Sequence, residues 1–282
     1  MSSVTLSAGV RSNLLALQQT SELQALTQGR LATGKKVNSA LDNPNSFFTA
    51  SGLEARAGDL ANLLDDMGQA VQTLRAADEG IKAITKLVEA AKAKANQALQ
   101  SSVAADRATY LDEYNALLSQ IEGVAEDSGY KGKNLLKGSP TNDLKVTFNE
   151  DATNFITIVA VDFTDTSIAT GINLTDATAG SWTADAAGDT VINAVVTAIA
   201  STLNTLRKQA STFGTNLTTV QVRQDYTKAM INTLQVGADR LTLADSNEEG
   251  AKLLALNTRQ QLSSSALSFA SQADQNVLRL LQ

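Results

Sequence analysis

Residues 63–98 read LLDDMGQAVQTLRAADEGIKAITKLVEAAKAKANQA and carry the strongest fold signal in the chain. Apolar residues recur in it at alternating steps of four and three, which places them on one face of an α-helix. An unbroken run of this kind is typical of a coiled-coil seam, and at 1.5 Å per residue the helix is roughly 60 Å long. The seam consists of Leu63, Met67, Ala70, Leu74, Ala77, Ile81, Ile84, Val88, Ala91, Ala95 and Ala98.

Further helices are predicted on both sides of this seam. One begins at about Ala104 and ends near Gly129, as expected where a helix needs a residue that tolerates left-handed geometry. Another follows the same four-and-three spacing from Ile192 to Leu241, with an interruption expected at Gly214. The fold class is therefore mainly α: long coiled-coil helices from both chain ends that form a bundle.

The middle of the chain, residues 138–189, changes character. Gly138-Ser139-Pro140 breaks the helical pattern, and Leu144, Val146 and Phe148 alternate with polar residues. Residues 149–154 form a turn signal before the β-branched stretch 155–163, so a hairpin is predicted. The rest is rich in Thr, Asp and Gly, and we expect a small, surface-exposed, β-rich insertion.

The two chain ends have helical spacing but few charges. Residues 1–33 carry three charges and 253–282 carry three, whereas residues 60–100 carry ten. Because a helix that meets water normally has a charged face, the ends are predicted to be surrounded by other helices in an assembly. The candidate subunit-packing residues are Leu14, Leu17, Leu31, Leu262, Leu267, Phe269, Val277, Leu280 and Leu281.

The composition argues against several classes of function. The net charge is -6 and no basic block is present, which argues against nucleic acid or an anionic membrane as partner. The absence of Cys and His removes thiolate metal sites and the commonest general base, so we expect no catalytic residue, cofactor or metal. The N-terminus lacks the features of a cleaved signal, and no apolar run approaches a membrane span.

Two short motifs have the spacing of phosphate or RNA sites. Residues 29–36, GRLATGKK, match the glycine and lysine spacing of a P-loop, but Lys36 replaces the Ser or Thr that binds Mg²⁺. Residues 129–132, GYKG, have the spacing of a GxxG loop in an acidic chain. A structural turn is the favoured interpretation of both. The carboxylate pairs Asp65-Asp66 and Asp78-Glu79 lie among basic residues and are interpreted as a solvated helix face.

Residues 30–44, RLATGKKVNSALDNP, and residues 275–281, QNVLRLL, lie near opposite ends of the chain. The first closely resembles the N-terminal signature of bacterial flagellins, and the second resembles the C-terminus of that family. The sequence GYKGKNLL at 129–136 is similar to the family's loop before its variable region. The resemblance covers about residues 1–137 and 190–282. Its signature residues are Arg30, Gly34, Asn38, Asp42, Gln275 and Asn276.

The resemblance implies a subunit that self-polymerises into the flagellar filament, outside the cell, for swimming motility. By analogy, 1–33 with 242–282 form the coiled-coil filament core, 34–137 with 190–241 form a helical bundle, and 138–189 are the variable outer part. An export chaperone, the filament cap and hook-junction proteins are implied as partners.

Three alternatives remain open. The hook–filament junction protein has similar termini. A helical signalling bundle of chemoreceptor type would need a membrane span and longer heptads. An Asp-based hydrolase in the middle segment has no supporting motif.

Overall fold

The structure, a computed structural model, describes residues 8–167 and 171–280. Within those ranges the chain forms five α-helices and one hairpin. In chain order they are α1 (Ala8–Thr33), α2 (Pro44–Gln100), α3 (Ala104–Asp127), β1 (Leu144–Thr147), β2 (Phe155–Ile158), α4 (Ala186–Thr242) and α5 (Ser246–Leu280). The mainly helical class and the hairpin are confirmed.

The chain divides into two compact units. Unit 1 consists of Met1–Arg56 and Thr233–Gln282, and unit 2 consists of Ala57–Asn232. Both ends of the chain therefore belong to unit 1, whereas the bundle and the middle segment belong together to unit 2. The long helices α2 and α4 each contribute to both units.

The seam of α2 forms the centre of unit 2. Ten of its eleven positions are buried, and Leu63 is half-buried. Met67, Ile84, Val88 and the alanines from Ala91 onward are fully buried. Small side chains at the end of the seam permit close approach of neighbouring elements, so the alternating spacing predicted the core correctly.

The loop after α3 packs tightly against α2 at Gly80. A Cβ at this position would lie 2.1 Å from Ser128 Oγ and 2.7 Å from Leu136 Cδ1. The Asn134 side-chain amide donates to the Ala125 carbonyl at 2.8 Å, which satisfies a helix-end acceptor. Residues 129–132, the GxxG-like motif, form a turn in which Gly132 has a φ of 78°. The motif is thus a structural element of unit 2.

The middle segment contains the small β insertion predicted from the sequence, and it also contributes side chains to the core of unit 2. Its β1–β2 hairpin pairs Leu144 with Ile158 in antiparallel register, and most of the described remainder is irregular, with short turns. One set of its side chains is buried with the α2 seam, because the segment folds over the bundle and covers apolar surface. These side chains are Val146, Ile158, Phe163, Ile172, Leu174 and Trp182.

Helix α4 is continuous, so the interruption expected at Gly214 is wrong. Gly214 lies in its interior with no neighbour close to an added Cβ, and one glycine costs a long packed helix only about 1 kcal/mol. By length and composition alone, α4 is also long and apolar enough to cross a membrane, although no apolar run of that length was expected. Ile192, Ile199 and Leu206 of α4 are fully buried in unit 2, as in a core helix.

Candidate assembly surface

Helices α1 and α5 of unit 1 pack against each other along a seam that contains many polar side chains. On α1 the buried residues are Val10, Thr20 and Thr27. The Gln24 side-chain amide donates to Asn257 Oδ1 on α5. The Thr20 hydroxyl donates a hydrogen bond to the Ala16 carbonyl of the same helix at 2.7 Å. The contact between the two helices is therefore not a conventional leucine seam.

Many large apolar side chains of this pair are exposed. Leu254, Leu262 and Phe269 of α5 are 69%, 67% and 71% exposed. On α1, the exposed leucines are Leu14, Leu15, Leu23 and Leu26. Exposed large apolar side chains in this number are typical of an interaction surface.

The predicted packing residues fall into three groups. Leu14, Leu262 and Phe269 are exposed on the outer faces. The half-buried ones are Leu17, Leu31 and Leu267. The side chains of Val277 and Leu280, and the whole of Leu281, lie outside the described residues.

The segment after α1 is joined to the end of α4 by backbone hydrogen bonds. The Lys36 amide donates to the Thr242 carbonyl at 2.7 Å, and the Ala244 amide donates to the Gly34 carbonyl at 2.9 Å. Gly34 has a φ of 69°, which favours glycine at this reversal. In the P-loop-like motif, residues 29–33 are helical and the Lys36 amide is already bonded, so the motif acts as a helix end.

A turn at Asn38–Asp42 follows directly. One Asp42 carboxylate oxygen accepts from the Asn38 amide at 2.9 Å and the Ser39 amide at 3.0 Å. These backbone donors lower the pKa of Asp42 below its ordinary value of 3.8. Asn43 then accepts from the Ser46 amide at 3.1 Å and caps α2, whose first residue is Pro44. The Asp42 turn therefore sets where α2 begins.

An ion-pair network links α1 to α5. Arg30 lies 3.3 Å from Glu249, whose side chain is only 6% exposed. Lys252 contacts Glu249 at 3.2 Å and Glu248 at 2.7 Å, and these two carboxylates raise the pKa of Lys252, Glu248 having the larger effect. A buried carboxylate needs such partners, so the network determines which residues of α1 and α5 are opposite each other.

Among the described residues, no group of three or more His, Cys, Asp or Glu side chains is arranged to hold a metal ion. The predicted carboxylate pairs lie at the surface. Asp65 and Asp66 are exposed on α2. Asp78 and Glu79 each contact Lys82 at 2.8 Å. Exposed carboxylates and surface ion pairs of this kind can support helix packing and assembly.

Two family models match the chain. The bacterial flagellin N-terminal helical region matches residues 5–141, and the bacterial flagellin C-terminal helical region matches residues 196–281. A flagellin of Caulobacter vibrioides, FljK, is 30% identical over all of this chain and 99% of its own length. The chain belongs to the bacterial flagellin family.

Other flagellins are similar over their full length. The flagellin of Brucella melitensis is 26% identical, with 100% of both chains covered. The crystal structure of Bacillus cereus flagellin covers 58% of this chain and 88% of its own at 19% identity, with a TM-score of 0.48. Flagellins form a structural protein family of the motile bacterial flagellum.

Four of the six signature residues of this flagellin have a role inside unit 1. Arg30 pairs with Glu249, Gly34 provides the positive φ, and Asp42 bonds the backbone amide of Asn38. The Asn38 side chain in turn donates to the Lys35 carbonyl at 3.4 Å. Gln275 and Asn276 are exposed and make no hydrogen bond to any residue that the structure describes.

Sequence reasoning missed part of this surface. Leu15, Leu23, Leu26 and Leu254 share its exposed faces, although none was predicted. The spacing Leu254–Leu262–Phe269, in steps of eight and seven, places these three on one side of α5 and could have added Leu254. Glu249 could not have been identified as the partner of Arg30, because the two are 219 residues apart in sequence.

Proposed function

We propose that this flagellin is the subunit of the flagellar filament and self-polymerises outside the cell into the helical propeller used for swimming. The observation that carries the proposal is the distribution of side chains in the α1–α5 pair. Its seam contains Thr20, Gln24 and Thr27, whereas six leucines and Phe269 are exposed. A pair designed to remain in water would have the opposite arrangement.

The energy available from covering this surface is large. The seven outward side chains are between 39% and 71% exposed, so completing their burial is worth roughly half of the ~1.5–3 kcal/mol per side chain for full burial. That amounts to about 5–10 kcal/mol per subunit, before the losses of motional freedom on association. Copies of the same pair supply a matching apolar surface. The side chains are Leu14, Leu15, Leu23, Leu26, Leu254, Leu262 and Phe269.

The proposal assigns a part to each segment. Residues 1–33 with 242–282 are the filament core, 34–137 with 190–241 are the surrounding helical bundle, and 138–189 form the outer side of the subunit. An export chaperone, the filament cap and the hook-junction proteins are proposed partners by family analogy.

The test is growth of the purified full chain on short filament seeds, followed by electron microscopy. A filament subunit elongates the seeds into long tubes, with a concentration threshold below which nothing grows. A hook–filament junction protein would instead bind isolated hook ends and add no length to seeds. Failure to elongate seeds at concentrations well above those typical of assembly would overturn the proposal.

A further inference from the structure

The outer face of α4 in unit 2 has the same low charge as the chain ends. Residues 190–220 carry only two charges, Arg207 and Lys208, and both are positive. In contrast, the exposed face of α2 in the same unit carries eight charged residues of both signs between 57 and 100. These are Asp59, Asp65, Asp66, Arg75, Glu79, Lys82, Lys86 and Glu89. Unit 2 therefore has one helix face with few charges, on α4, and one helix face with many charges, on α2.

The threonines of this α4 face have their hydroxyl groups satisfied internally. Six of them donate to the carbonyl four residues earlier, at 2.9–3.2 Å. Because the donor is already used, covering such a side chain removes a methyl group from water and leaves no hydroxyl proton unpaired. They are Thr197, Thr205, Thr212, Thr215, Thr218 and Thr219.

Helix α3 has the complementary charge. It carries six carboxylates and one Arg, and that Arg107 is buried, donating to the Ser101 carbonyl at 2.7 Å. Asp112 and Asp127 are exposed and form no ion pair with any residue the structure describes. Lys208 on α4 also forms no ion pair with any described residue. Arg207 donates to Asn204 Oδ1 at 3.2 Å and forms no ion pair within the described part of the chain.

We infer that the outer face of α4 in one copy docks on the outer face of α3 in a second copy. This inference rests on the proposed function and adds to it which faces of unit 2 meet. Two different faces of one chain make a heterologous contact, which continues into an open helical polymer unless the rotation closes a ring. Charge complementarity selects α3 as the occupant and determines the orientation.

A lipid surface is a poor fit to the α4 face. The opposite side of the helix, with Ile192, Ile199, Leu206, Phe213 and Val220, is buried in unit 2, so lipid could reach only the Thr-rich side. That side carries few large apolar groups, and membrane-bound helices bury a broad apolar face.

The experiment compares charge-reversed variants of the full chain in seeded elongation, with the concentration threshold for growth as readout. Lys208→Glu and Asp112→Lys should each raise the threshold at least tenfold. The double variant should return to within about threefold of the unmodified chain, since opposite charges again face each other. Circular dichroism of each monomer verifies that the fold is retained.

Control variants distinguish the effect of facing charges on the threshold from the effect of net charge. Lys86→Glu changes the charge equally on α2 and should leave the threshold unchanged. Lys86→Glu combined with Asp112→Lys restores net charge but should not rescue growth. If Lys208→Glu assembles normally, or if both double variants rescue equally, the docking inference is wrong while the filament role stands.

Two further outcomes would also overturn it. If the unmodified chain does not elongate seeds, the filament role fails and the inference fails with it. If the chain floats with phosphatidylglycerol-containing vesicles and Thr215→Glu abolishes that binding, the α4 face is a lipid-binding surface.

Discussion

Phe269→Ala tests the outer face of α5 most directly, because the residue is 71% exposed in the single chain. Full burial of a Phe is worth ~1.5–3 kcal/mol, so covering the exposed 71% of Phe269 is worth about 1–2 kcal/mol, of which Ala would retain a small part. The expected loss of about 1–2 kcal/mol per subunit corresponds to a roughly 5- to 30-fold rise in the threshold for growth.

The assay is seeded elongation at a series of concentrations, with pelleted protein as readout. The midpoint of thermal unfolding should stay within about 2 °C, because an exposed side chain contributes little to the single chain. Two other Phe→Ala variants serve as controls, one at an exposed and one at a buried position. Phe155→Ala, 50% exposed on the hairpin, should assemble normally, whereas Phe213→Ala, 1% exposed, should destabilise unit 2 by about 3–5 kcal/mol. An unchanged threshold for Phe269→Ala would refute the reasoning.

Two further predictions concern the single chain. Gly80→Ala should lower the free energy of unfolding by about 1–3 kcal/mol in urea titration, because its Cβ would lie 2.1 Å from Ser128 Oγ. The matched Gly123→Ala, with no atom within 4 Å, should instead raise it by about 0.5–1 kcal/mol; equal effects would contradict the close approach. The lowered pKa of Asp42 means that its turn is stabilised above the ordinary value of 3.8 and loses this stabilisation as pH falls through the lowered value. Amide exchange at Asn38 and Ser39, corrected for intrinsic rates, should therefore be faster at about pH 2 than at about pH 6, and Asp42→Asn should remove most of that difference.

Much of the helical architecture could be predicted from local patterns. The seam from Leu63 to Ala98 predicted α2 and its buried face, since a four-and-three spacing can bury its apolar residues only as a helix. The hairpin followed from alternation around the turn at 149–154. The interruption at Gly214 was wrong because packing along a long helix outweighs the weak propensity of one glycine.

The candidate surface was only partly predictable. Low charge distinguished both chain ends, and Leu262 and Phe269, two of the predicted packing residues, are exposed in the single chain. The polar seam between α1 and α5 was not predicted, because periodicity identifies a face but not which partner covers it. Leu17, Leu31 and Leu267 were predicted together with the exposed residues for this reason, although they are half-buried.

Local sequence patterns were enough to predict the helices, the hairpin and the family, since each depends on residues close together in the chain or on a short signature. The pairing of Arg30 with Glu249, the bond from Gly34 to the segment after α4 and the burial of Trp182 in the core of unit 2 became visible only in the folded chain. These contacts join residues far apart in sequence, and their energies depend on burial and on the distance between atoms. No local pattern contains either quantity, because both exist only after the chain has folded.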